Sequence, residues 1–397
     1  MIFINIFYWF YQFFVFRILK RRIIFNYKKY CANPSGNALL YYKIDPFINP
    51  SLAKKYHHTN QQEILEIVKI LNNEGFIVDI ADRDIRKKDF RKLKASYDLF
   101  IGLGAGNSGK YFGELARIYP MALKILYAAG PEPSLSNALI ESRYKYFSER
   151  HPGTEMVLRR MITAFNFGEF VKLADVLFVV GNEFSISSYK KFNLPVYPIY
   201  PSTSPILKFN DKPDKSVIRN FLYFGGNGNI VKGLDLLIES FSLLPHLNLY
   251  ICAPTGEDDF NSFYLEMLKK ATNIHYIGFI KPGGKVFKYL VKICGFVILP
   301  SCSEGIATSV VTCMRCGLVP VVTYESGVDT GDFGYIINDL SNESLTNQIQ
   351  AISTIDDETY LEKSLKTYLE SEKYTLKGFI NSFSSAVKQS LAIKKNS

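Results

Sequence analysis

LPSCSEGIATSVVTCMRCGLVPVVTYESG, residues 299–327, is the stretch on which the fold turns. An apolar run ends at Pro300, and a short Ser/Cys loop carries Glu304 and Gly305. A helix starts immediately afterwards, and LVPVVTY (318–324) is a second buried strand. Strand, glycine-bearing loop, helix and strand form the repeating unit of a parallel sheet covered on both faces. Gly305 lets backbone approach a ligand closely, and the amides of Ile306 and Ala307, at the positive end of the helix, suit a diphosphate. Glu304 beside an anion site makes no sense as charge balance. A carboxylate that accepts sugar hydroxyls explains it.

Upstream, YFGGNGNIVKGLDLLIESF (223–241) repeats the logic. A strand opens into a glycine-rich turn, and Lys232 stands at the start of an amphipathic helix. Gly225, Gly226 and Gly228 permit amides to face an anion, and Lys232 supplies a point charge for a phosphate. Alone, such a turn is as readily structural; followed by the Glu304 loop it gains weight.

The alternation extends in both directions. ALLYYKI (38–44), FIVDIA (76–81), YDLFIGL (97–103), ALKILYAA (122–129) and ADVLFVVG (174–181) read as strands of a first unit. Helix 61–74 puts Ile64, Ile67, Val68 and Leu71 on one face, with Asn60 as its N-cap. PVYPIYPSTSPILKFNDKPDK (195–215) has no period and reads as linker. NFLYFGG, LNLYICA, NIHYIGF, GFVILP and LVPVVTY follow as strands of a second unit. Two doubly wound units place a ligand in the crevice between them.

With these motifs assembled, residues 220–340 resemble the donor domain of family 4 glycosyltransferases, retaining enzymes of the GT-B fold. The resemblance rests on FGGNGNIVKG, PSCSEG and CGLVPVV, and extends more loosely to KILYAAGPEP (124–133), which is similar to family members that build bacterial surface polysaccharides. It implies an α/β, GT-B architecture of two doubly wound Rossmann-like domains facing each other across a cleft. The expected division is an aromatic/basic segment 1–35, an acceptor-side domain 36–205, a linker 206–216, a donor domain 217–375 and a C-terminal helix 376–397. By the resemblance Lys232 contacts the donor phosphates and Glu304 the transferred sugar, while Ser326 and Gly327 border the same pocket. The donor set then comprises Gly225, Gly226, Asn227, Ser303, Gly305, Ile306, Ala307, Thr308, Thr312, Ser326 and Gly327. Two positions depart from the family's pattern: Thr312 stands where a second Glu usually holds the ribose, and Asn227 where an Arg usually precedes the Lys. The substrates implied are a nucleotide-sugar donor and a glycan or lipid-linked acceptor, with no metal and no cofactor. A GT-B protein that kept the fold without the chemistry is the alternative.

On the acceptor side, His57, His58 and Asn60 fall at the start of the first long helix. His58 is the third candidate catalytic residue. A His here either hydrogen-bonds the acceptor or a phosphate, or is an exposed loop histidine. Gly104, Gly130 and Glu132 lie at the ends of other strands and are further acceptor-side candidates.

Composition bounds the rest. Hydrophobic residues at 47% and charged residues at 21% describe a folded chain and exclude disorder. The net charge is +10, but residues 1–44 hold seven basic and no acidic side chains, leaving 40 basic against 37 acidic elsewhere. Nucleic-acid binding across the surface is therefore not implied. IFINIFYWFYQFFVF (2–16) falls short of the ~20 residues a spanning helix needs and lacks the order of a secretory signal, so a signal anchor is the lesser reading. Aromatics followed by RILKRRIIFNYKK suit a segment through residues 2–29 lying on an anionic membrane surface; a buried or frayed extension, or a mis-chosen start, is the alternative. Six scattered cysteines exclude a disulfide framework and suit a cytoplasmic protein at the inner membrane face.

Three weaker signals are set aside. GAGNSGK (104–110) has phosphate-loop spacing, but Tyr111 follows Lys110 where the magnesium-binding Ser or Thr belongs, so an NTPase centred on Lys110 is the lesser alternative. Asp82-Arg83-Asp84 reads as a solvated turn, and Cys313 with Cys316 as core thiols inside a helix.

Overall fold

The computed structural model describes residues 22–27, 34, 36–48, 59–104, 109–163, 166–203 and 215–396. By internal contacts the chain divides into two units: Met1–Ala128 with Thr163–Phe178 and Val387–Ser397, and Ala129–Ile162 with Val179–Ala386.

The first sheet is built on β1 (Ile23–Tyr27), β2 (Gly36–Tyr42), β3 (Phe76–Asp82), β4 (Leu99–Leu103), β5 (Leu123–Ala128), β6 (Val176–Val180) and β7 (Val196–Ile199). Their order is β1-β3-β2-β4-β5-β6-β7. β2 pairs in parallel with β3 and β4, and β4 with β5. Apolar runs produce this because both faces are covered: Ala38 through Tyr41 are all buried. Helix α1 (Thr59–Asn73) buries the expected Ile64, Ile67, Val68 and Leu71. Gly75, at φ +91°, ends it and turns the chain into β3.

Four sequence expectations change here. Asn60 lies inside the first turn of α1, not before it. Residues 23–27, expected on a membrane surface, form an edge strand antiparallel to β3, with Ile23 opposite Ala81 and Arg22 paired to Asp82 at 3.2 Å. Tyr-Pro-Ile, expected in the linker, belongs to β7, and Pro198 is tolerated there because the strand is at a sheet edge, where a missing N–H breaks no ladder. Asp82 is buried rather than solvated, accepting from the amides of Ile44 and Asp84. Residues 1–21, 28–33 and 204–214 lie outside the described residues, and with them most of the N-terminal segment and of the linker.

The second sheet holds β8 (Asn220–Phe224), β9 (Asn248–Cys252), β10 (Ile274–Tyr276), β11 (Phe296–Leu299), β12 (Val319–Val322) and β13 (Tyr335–Ile336), in the order β10-β9-β8-β11-β12-β13 and parallel throughout. The chain winds from β8 outward to β10, then restarts at β11 on the other side of β8. The carboxyl ends of β8 and β11 therefore flank the topological switch point, where open α/β sheets bind ligands.

Residues 129–162, placed by the sequence within a domain 36–205, cluster with this second sheet. The reason is long-range polar contact. Helix α2 (Pro133–Arg150) ends on Arg150, whose guanidinium bonds both Asp235 and Glu239 of helix α3 (Leu234–Ser242). Glu239 also takes a 2.6 Å bond from the Tyr264 hydroxyl and a 2.9 Å contact from His151 Nε2. Arg143 donates to the carbonyl of Pro300 at 3.0 Å. Among the described residues no helix is long and apolar enough to cross a membrane, and no group of His, Cys, Asp and Glu is arranged to hold a metal ion.

Candidate functional site

Two loops meet at the switch point. The first leaves β8 at Gly225, whose amide bonds the carbonyl of Cys252 at 3.0 Å, and runs to Gly233 at the head of α3. The second leaves β11 at Pro300. They are pinned together by Cys302 N donating to Val231 O at 2.9 Å. Gly233 has φ +70°, and a Cβ there would lie 2.6 Å from the Pro300 carbonyl, so only glycine permits this approach.

The approach brings Lys232 and Glu304, 72 residues apart, into a direct ion pair between Nζ and Oε1. The lysine side chain is 6% exposed and the carboxylate 13%. Burial pulls the Lys232 pKa down, with the nearby Arg160 charge adding to the fall and Glu304 opposing it. Burial alone would raise Glu304, but Lys232 and Arg160 overcome it and hold the carboxyl below its ordinary range. Glu304 is thus an anion facing two cations.

A third element completes the group. Arg160, with φ +65°, sets Nη2 3.3 Å from Glu304 Oε2 and Nη1 3.4 Å from the Asn227 carbonyl. It arrives from Thr154–Ile162, far from either motif in sequence.

The rest of the Glu304 loop is held by the turn after β12. Glu304 N donates to Glu325 O at 2.9 Å and Ala307 N to Ser326 O at 3.0 Å. A Cβ on Gly327 would lie 1.4 Å from the Gly305 carbonyl, and one on Gly305 would lie 2.2 Å from that of Ala129. Gly305 therefore packs against backbone from 129–130, which brings Gly130 to it as well.

Several expected donor residues have other partners here. The Ala307 amide, expected to face a diphosphate, is taken by Ser326. The amides of Gly228 and Asn229 are taken by the carboxylate of Glu257, a buried internal anion that sequence reading missed. Ser303 bonds Ser136 on α2 at 2.7 Å. Thr312 sits in helix α4 (Thr308–Met314) and returns its hydroxyl to Thr308 O at 2.6 Å. Ile306 is buried, whereas Gly226 and Asn227 are exposed at the loop's tip.

Acceptor-side candidates separate. Glu132 caps α2 through Leu135 N and binds Lys191 Nζ at 3.0 Å, a structural role. Gly104 and Asn60 belong to the first unit, where Gly104 packs on Leu126 and the side-chain oxygen of Asn60 is buried without a hydrogen-bond partner. His57 and His58 lie outside the described residues. A cavity of about 570 Å³ opens between α2 and the chain after β12, lined by Arg143, Tyr146, Cys302, Thr323, Glu325 and Asp339. It borders the reverse of the Glu304 loop; Lys232 and Glu304 do not line it. Cys313 and Cys316 are buried in the core.

Residues 207–372 match the family model described as glycosyl transferases, group 1. No curated protein sequence matches the chain. Among solved structures it is similar to sucrose-phosphate synthase from Thermosynechococcus elongatus, at 13% identity and a TM-score of 0.62 over 90% of this chain and 100% of that one. The Anabaena protein HepE, solved in complex with UDP-glucose, matches at 13% identity and a TM-score of 0.57 over 89% and 99%. WaaG, a glycosyltransferase involved in lipopolysaccharide biosynthesis, matches at 12% identity and a TM-score of 0.54 over 87% and 98%. At these identities the likeness is one of fold. The chain thus has the GT-B fold, with Rossmann-like, mostly parallel sheets, and its residues 207–372 match the glycosyl transferase group 1 model.

Proposed function

We propose that this chain is a glycosyltransferase that moves a sugar from a nucleotide-sugar donor to a glycan or lipid-linked acceptor, with retention at the anomeric carbon. The observation that carries the reading is the buried Lys232–Glu304 pair at the switch point of the sheet inside the group 1 domain. Lys232 holds the leaving diphosphate, and Glu304 accepts hydroxyls of the transferred sugar. Such chemistry asks little more of a protein than charge stabilisation of the leaving group and orientation of the acceptor, so neither metal nor cofactor enters. HepE, with its UDP-glucose, supports a nucleotide-sugar donor, and WaaG supports a role in surface polysaccharide. The aromatic and basic residues between 2 and 21 support work at the cytoplasmic membrane face, on a peripherally held enzyme.

Transfer from a panel of nucleotide sugars to membrane-derived acceptors tests the reading, with Glu304→Ala run alongside. Turnover by wild type, reduced by about 10²–10³-fold in the variant, is expected for loss of one preorganised polar group. Equal turnover by the variant would remove the assignment. Thr312, whose hydroxyl is turned onto its own helix, favours the second reading, a silent binding protein; donor binding without turnover on any acceptor would select it. An NTPase centred on Lys110 has less support, because that ammonium lies over the Tyr111 ring.

A further inference from the structure

We infer that Arg160 is a donor-binding residue, whose guanidinium grips the donor diphosphate together with Lys232 and in doing so releases Glu304 to the sugar; the inference rests on the donor site proposed above.

The first argument is charge. Lys232 and Arg160 converge on a single carboxylate, so the cluster holds two cations and one anion. Asn227 brings no charge to the glycine loop; its carbonyl instead orients the guanidinium, at 3.4 Å. Glu257, the other acid close by, is already committed to the amides of Gly228 and Asn229. The cluster is left with one net positive charge, and with two once Glu304 turns to the sugar, which is what a diphosphate supplies the counter-charge for. A guanidinium, with its planar fork of donors, suits phosphate oxygens better than a second ammonium would.

The second argument is backbone. Arg160 occupies the left-handed region at φ +65°, a conformation that residues other than glycine rarely adopt and hold only under constraint. Its neighbours hold it there from both sides. Arg159 bonds Asp259 bidentately at 2.6 and 2.8 Å, and its amide donates to the Tyr144 hydroxyl at 3.1 Å. Ile162 exchanges two hydrogen bonds with Asn137, at 2.8 and 2.9 Å. Opposite, Gly228 leaves room for the arginine: a Cβ there would sit 2.4 Å from Arg160 Cδ. Nothing in packing asks for an arginine at this position, since its side chain is 36% exposed. A strained, clamped and solvent-reachable cation beside the sugar-side carboxylate is a ligand-binding device.

Glu304 is then a placeholder. In the donor-free protein it pairs with both cations. When a diphosphate arrives it takes over Lys232 and Arg160, and the carboxylate is freed for hydroxyls.

Calorimetry on the full chain with UDP, GDP, ADP and CDP, and with the matching monophosphates, tests this on wild type, R160G and R160K. Glycine relaxes the left-handed backbone, so R160G should melt at or above the wild-type temperature. It should nonetheless bind the preferred diphosphate about 10- to 100-fold more weakly, with a smaller loss for the monophosphate and an intermediate value for R160K. Diphosphate affinity within two-fold of wild type in R160G would overturn the role of Arg160 while leaving the donor site standing. If wild type binds no nucleoside diphosphate, the donor site itself fails and this inference with it. A large drop in the R160G melting temperature would contradict the strained-backbone argument, and Arg160→Met would then carry the affinity comparison.

Discussion

Two glycine-rich loops in this chain leave buried strands and end on a lysine, and they behave differently. The loop from β8 delivers Lys232 into a buried pair with Glu304. The loop from β4, whose residues 105–108 lie outside the described residues, ends on an exposed Lys110 with its Nζ 4.7 Å above the neighbouring Tyr111 ring. Glycine spacing alone does not make a site. What makes one of them a site is a partner supplied by distant chain: Glu304 at the end of the adjacent strand, and Arg160 from an extended segment beyond α2.

The sharpest way to break this comparison is to remove one charge from the Lys232–Glu304 pair and one from the β4 loop. Glu304→Ala should lower transfer by about 10²–10³-fold, whereas Lys110→Ala should leave turnover within about two-fold of wild type. Equal losses in the two variants would erase the distinction. Next in size is Gly327→Ala, which puts a methyl 1.4 Å from the Gly305 carbonyl at φ +75°. It should cost about 3 kcal/mol or more in urea unfolding, and a loss below about 1 kcal/mol would mean the Glu304 loop is not held by that turn.

Arg159→Met loosens the clamp beside Arg160. Hydrogen bonds from Arg159, outweighing burial, hold Asp259 down to about 2, against an ordinary 3.8. A depressed carboxyl stabilises the fold above the unfolded value, and that stability is lost as pH falls through the folded one. The amides of Val157 and Phe260 still hold the carboxylate and solvent screens it, so the variant should lose about 1 kcal/mol at neutral pH, a deficit that shrinks as pH falls from about 4 toward 2. A deficit unchanged at low pH would locate the effect elsewhere. The smallest effect belongs to Gly226→Ala, where a Cβ meets nothing within 4 Å; stability should stay within about 0.5 kcal/mol.

The strands of both sheets, β1, β7 and β13 apart, and the two motif loops were legible because each is a local pattern of an apolar run closed by glycine or proline and followed by a helix. Lys232 and Glu304 could be paired in thought because each stood at the end of such a run. Arg160 could not. The stretch MVLRRMITAF has no period and no motif, and its importance comes from the clamps at Asp259, Tyr144 and Asn137, none of them near it in sequence. The same blindness hid Glu257, which took amides expected to face a phosphate, and it hid the attachment of residues 129–162 to the second sheet. Residues 23–27 were misread for a related reason: a strand of five residues within an aromatic and basic stretch looks like its surroundings until its partner strand is known.

The bonds from Arg150 to Asp235 and Glu239 bear on how this protein can be cut. Asp235 is wholly buried, and burial raises its pKa even with the guanidinium in place. A fragment excised at residue 207, the edge of the family match, would carry both acids into its interior without their counter-ion, a loss that typically destabilises by about 3–5 kcal/mol. The smallest piece able to fold on its own therefore has to bring α2 with it, and protease trimming of the native protein should spare the peptide bonds of that helix.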